Sequence, residues 1–254
     1  MILQPSSAPW SPWDIGNYRW SEAFIWIAAV AGLLFGVFLF ASYLYNRKRQ
    51  LLYWAIAFFG FWVVYHQMIA NGTYGVLVGS FATSMFGIPT ALLVMLIPGL
   101  LAAGLLYDKD EKLGKIFVWV LLFLAAVYFV LKAEPNAKWF GAVAMGETRP
   151  SAMIAGVILT LVRLISGAMI IALPIMKEGR LGPKTMVSVG GILIFTADIL
   201  WTLLMFITPS ENTIDTVGML FSFFFIGYVL CLMIGIANNK DWGFSLPHVA
   251  FEEL

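Results

Sequence analysis

Seven apolar runs, each about the length of a membrane-crossing helix, follow one another with mostly short polar breaks. They cover about 22–46, 51–70, 85–107, 113–133, 151–176, 184–208 and 215–237. A helix needs about 20 apolar residues to cross the hydrocarbon core of a bilayer. In that core every backbone amide must be bonded internally, which leaves helices and closed barrels as the only spanning structures. Runs of this length therefore predict an all-α integral membrane protein, a bundle of seven transmembrane helices. Composition agrees: 61% of residues are hydrophobic and 11% are charged, against about 25% charged in soluble domains.

The breaks are NRKRQ (46–50), NGTYG (71–75), YDKDEK (107–112), EPNAKWFGAVAMGETRP (134–150), KEGRLGPK (177–184) and TPSENT (208–213). Basic residues set the direction, because cytoplasmic loops are enriched in Lys and Arg. One side collects Arg47, Lys48, Arg49, Lys109, Lys112, Lys115, Lys177, Arg180, Lys184 and Lys240. The other holds Arg19, Lys132, Lys138 and Arg149. The expected topology has the N-terminus outside and the C-terminus in the cytoplasm. Residues 1–21 form an extracytoplasmic segment whose Trp10, Trp13 and Trp20 suit the outer interface. Residues 22–237 form the membrane domain, and 238–254 a short cytoplasmic tail. The first 21 residues lack a basic leader and are not expected to be a cleaved signal peptide. The expected location is the plasma membrane.

A shift of 131 residues overlays the first three runs on the last three without a gap. Gly36, Gly60, Gly87 and Gly104 then fall on Gly167, Gly191, Gly218 and Gly235. This suggests a three-plus-one-plus-three repeat, although total identity stays near what apolar composition gives. Pro98, followed by Gly99 inside the third run, is expected to kink its helix and free a carbonyl.

Two charges stand inside the apolar runs. Arg163 lies roughly 20 Å from the outer end of the fifth run, and Asp198 roughly 16 Å from the same surface on the sixth, at ~1.5 Å per residue. Consecutive antiparallel helices bring equal depths together, so these two are expected to form a buried ion pair. Ionisable residues inside a membrane are functional candidates, and the alternative is a clasp that sets helix register. A second polar cluster, Tyr65, His66 and Gln67, lies near the outer face, with Glu22 opening the first run on that side. His66 reads as an interfacial, hydrogen-bonded histidine, with a pH-sensitive role or a contact to a quinone-like headgroup as the alternative. Asn71-Gly72-Thr73 matches a glycosylation sequon, for which coincidence is the favoured reading.

The sequence points away from several chemistries. His66 and His248 fall on opposite sides and cannot bracket one haem. The last run has no lysine for a retinal Schiff base. No zinc spacing, phosphate loop or nucleophile elbow is present. Asp108, Asp110 and Glu111 alternate with lysines and read as a solvated loop. No cofactor, metal or nucleic-acid partner is expected. The expected partners are the bilayer and other membrane subunits, or a second copy of the chain. The favoured function is a non-catalytic structural or accessory subunit of a larger membrane complex. A small transporter or channel using Arg163 and Asp198 comes second, and a sensor signalling through a partner third.

Overall fold

A computed structural model describes residues 20–132, 150–178, 183–206 and 211–239, with side chains for most of 27–63, 92–131, 150–175, 184–196 and 223–239. The described residues are helical apart from short corners, with no strand among them. The helices are α1 (Trp20–Asn46), α2 (Arg49–Lys109), α3 (Glu111–Lys132), α4 (Pro150–Glu178), α5 (Pro183–Phe206) and α6 (Glu211–Ala237). Their limits follow the apolar runs to within a few residues. Both α4 and α5 open on proline, which suits the first helical position because its missing N–H has no partner there anyway.

One element departs from expectation. Residues 71–75, expected as a loop, carry helical hydrogen bonding, so α2 runs on for 61 residues. It is nevertheless not one straight rod. The Trp54 indole N–H donates to the Leu101 carbonyl at 3.2 Å. The rings of Tyr53 and Tyr107 lie edge to face with centroids 6.0 Å apart. A Cβ at Gly60 would touch Ile97 and Leu93. In a straight helix Trp54 and Leu101 would be some 70 Å apart at ~1.5 Å per residue. The element therefore doubles back between Gly60 and Leu93 into two antiparallel arms.

Three helices are long and apolar enough to cross a membrane among the described residues: Ile27–Asn46 in α1, Glu111–Leu131 in α3 and Ile154–Ile175 in α4. Their outer faces carry large apolar side chains in the open. On α3, Trp119 is 72% exposed, and Phe123 and Val130 are similarly bare. Leu34, Val37 and Tyr45 on α1 and Val157, Leu161 and Ile165 on α4 repeat the pattern. Continuous apolar surface of this kind needs an apolar neighbour. The chain is thus a membrane protein by the composition and length of its helices.

Packing follows the chain, then closes on itself. Each helix contacts the next through α3, α3 and α2 both contact α4, α5 lies against α4 and α6, and α6 returns to α1. Small residues make the crossings close, as expected where lipid tails compete equally for apolar side chains. A Cβ at Gly104 would stand 2.1 Å from the Trp54 ring nitrogen, and one at Gly99 would stand 2.6 Å from Leu121. Only hydrogen at these two positions lets the second arm of α2 approach the first arm and α3.

The corners at one end are tight. Arg47 has φ 55°, the left-handed conformation that glycine normally takes after a helix, and its N–H bonds back to the Tyr43 carbonyl at 2.7 Å. A non-glycine residue there costs roughly 1 kcal/mol. Asp110 alone separates α2 from α3. Its N–H bonds the Leu106 carbonyl, closing α2. Its carboxylate accepts from the N–H groups of Lys112 at 2.8 Å and Leu113 at 3.1 Å, opening α3. Asp110 is thus a helix cap as well as the exposed connecting residue the sequence suggested.

Candidate functional site

The interior is apolar where the helices converge. Both arms of α2, with α4, α5 and α6, surround a void of ≈ 10 Å³ lined by Trp54, Leu101, Leu105, Ile170, Val187, Leu232 and Ile236. A space of this size holds at most one water, and the lining offers it no polar side chain. Phe61 and Tyr228 pack edge to face nearby, with centroids 5.5 Å apart.

Polar groups gather one turn beyond this void, toward the tight corners. Gln50 precedes Trp54 by four residues, Asp108 follows Leu105 by three, and Lys184 precedes Val187 by three. That spacing places each on the same face as its apolar neighbour. Gln50 is buried, Lys184 is only 3% exposed, and Asn239 is buried just past the end of α6. All four take part in non-covalent contacts. The sequence counted Lys184 only among the basic residues of the cytoplasmic side. Its signal was the position after Pro183: three and four residues on come Val187 and Ser188, both buried.

Arg163 lies in α4 and Asp198 in α5, two helices in contact. A Cβ at Gly191 would touch Ile170 and Ile171, and one at Gly167 would touch Phe195. These contacts define an antiparallel register. Carried four residues back along α4 from Gly167 and three on along α5 from Phe195, it brings the backbones of Arg163 and Asp198 level. Arg163 is half-buried and engaged in a non-covalent contact. The Asp198 side chain lies outside the described residues, and with it the expected ion pair. Ser166, three residues after Arg163, is buried, and its hydroxyl has no hydrogen-bond partner among the described residues. Thr160, one residue short of a turn before Arg163, donates to the Gly156 carbonyl at 2.9 Å. Pro174, inside α4 and buried, was not singled out from the sequence.

The outer cluster is placed only by its backbone. Tyr65, His66 and Gln67 lie in α2 and Glu22 in α1, and their side chains lie outside the described residues. A Cβ at Gly32 would touch Phe61. The same register carried outward sets His66 level with Ile27, more than a helical turn short of Glu22. Pro98 lies half-buried within α2, beside the Gly99 approach to α3.

At the corner end, Glu111 pairs with Lys115 one turn along α3, and the Tyr107 hydroxyl donates to the same carboxylate. Both side chains of the pair are largely exposed, which makes this a rim contact of small energetic weight. Comparison of the chain with protein-family models, with curated proteins and with solved structures finds no match.

Proposed function

We propose that this chain is a seven-span, non-catalytic subunit of a larger plasma-membrane complex, with its N-terminus outside and its C-terminus in the cytoplasm. The observation that carries the reading is the contrast between inside and outside. The void where the helices meet is too small for a solute and entirely apolar. The outer faces of α1, α3 and α4 present rows of large apolar side chains. Among the described residues the bundle offers surface rather than a path. The reversal within α2 supports counting its arms as two spans, which makes seven rods in all.

The repeat has partial support. Within α2, Gly60 faces Ile97. The position 131 residues after Ile97 is Tyr228, which faces Gly190, the neighbour of Gly60's counterpart Gly191. The first helices do not follow. Gly36 faces Phe58 and Phe59, whereas Gly167 faces Phe195, several residues beyond the equivalent place. The connection from α4 to α5 is longer than that from α1 to α2, and a longer connection permits that slip.

A small transporter or channel is the second reading. Its support is the register that levels Arg163 with Asp198, with the orphan Ser166 hydroxyl one turn away. The deciding experiment is purification of the tagged chain from its native membrane in mild detergent, followed by mass spectrometry. Stoichiometric partners that survive a salt wash are the expected result. A clean monomer or homo-oligomer refutes the subunit reading and turns attention to transport assays on Arg163 and Asp198 variants.

A further inference from the structure

The corner between α1 and α2 carries three consecutive cations, Arg47, Lys48 and Arg49, all exposed. It directly follows the apolar span Ile27–Asn46, with Tyr45 bare beside it at 71% exposure. If that span crosses the bilayer, the corner stands at headgroup level, where aromatic and basic side chains meet phosphate.

A second corner adjoins it. The Arg49 guanidinium lies within electrostatic reach of Tyr107 and Glu111 at the α2–α3 junction. That junction adds Lys112 and Lys115, both accessible. Its acids have work elsewhere. Glu111 holds Lys115 and accepts from Tyr107, and the Asp110 carboxylate is bonded to the first turn of α3. Asp108 is half-buried and already in a contact of its own. The Arg47 and Lys112 side chains form no ion pair among the described residues. Positive charge therefore exceeds what the neighbouring acids balance. It is gathered at one level and faces outward.

We infer that these two corners form a binding surface for anionic phospholipid headgroups, with Arg47, Lys48, Arg49 and Lys112 contacting the lipid phosphates. The inference rests on the membrane reading above. Clustered Lys and Arg immediately beyond a span are drawn to anionic lipid. Arg47 has a further feature that fits: its left-handed backbone suits glycine better, yet the position carries a guanidinium.

The test uses the full chain in detergent micelles doped with either phosphatidylglycerol or phosphatidylcholine, following unfolding by tryptophan fluorescence. Phosphatidylglycerol should raise the unfolding midpoint by about 2–4 °C over phosphatidylcholine, the shift expected of a ligand that binds the folded state. The Arg47→Gln, Lys48→Gln, Arg49→Gln triple variant should lose most of that difference. Arg47→Gly is the second variant, because it relieves the backbone and will fold. Its midpoint in phosphatidylcholine should rise, while its extra gain from phosphatidylglycerol shrinks. Equal gains from the two lipids, an undiminished gain in both variants, or the same gain from inorganic phosphate alone would overturn the proposal. Alkaline carbonate extraction separates the two levels of failure. Release of the chain from membranes sinks the membrane reading and this inference together. Retention with no headgroup preference sinks the inference alone.

Discussion

The two arms of α2 and the α4–α5 pair are both antiparallel helix pairs with glycine at the crossing, yet they are closed differently. In α2 the contact is made by a buried indole set against Gly104, with its N–H on a backbone carbonyl. No charge is involved, and Trp54 is 1% exposed. In α4–α5, Gly167 and Gly191 bring the backbones close in the same way. Their register then sets an arginine level with an aspartate and leaves a serine hydroxyl unpartnered. The first pair reads as a fastening. The second sets two ionisable residues at one level of its backbones, where apolar residues would carry a lower desolvation cost. That contrast is why Arg163 and Asp198, rather than Trp54, are the candidates for function.

The comparison can be broken at three points. The largest effect is expected from Asp198→Asn. If the two residues pair away from water, the change strands an arginine, and the cost should reach about 3 kcal/mol or more in chemical unfolding from micelles. Near-native stability would remove the pair and, with it, the distinction between the two regions. Gly104→Ala should come next, because its methyl cannot share space with the Trp54 ring. Overpacking of this sort costs ~1–3 kcal/mol, and loss of the indole bond should shift tryptophan emission. An unchanged spectrum and midpoint would mean the arms of α2 are not closed by this contact. The smallest effect belongs to Ser166→Ala. Removing an unpartnered buried hydroxyl should leave thermal stability unchanged or raise it by up to ~1 kcal/mol. A clear loss would show that the hydroxyl holds something near Arg163.

Much of the fold was legible because lipid imposes a simple rule on length. Each apolar run is helical, the second and third within one element, and Pro150 and Pro183 mark starts that local chemistry explains. The levelling of Arg163 with Asp198 was also legible, since counting residues from a shared surface needs only the helical rise. What could not be read depends on rotation about the helix axes. Lys184 looks like one more basic residue of the cytoplasmic side until α5 turns its face inward. Trp54 looks like any aromatic until the arms of α2 meet at Gly104. The capping role of Asp110 went unread for a different reason: the alternating lysines pointed only to its exposed place in the connection, which it does occupy.

Asp110 has a mechanical meaning beyond capping. With one residue between the last turn of α2 and the first of α3, and both turns bonded to it, the junction has no slack. Gly114 tightens it further, since a Cβ there would stand 2.7 Å from the Tyr107 Cα. A tilt or twist imposed on α3 from its exposed face must pass into the second arm of α2, and from there to Trp54. Among the described residues, the least buried of the three long apolar helices and the largest fully buried side chain are thus coupled as the two ends of one lever.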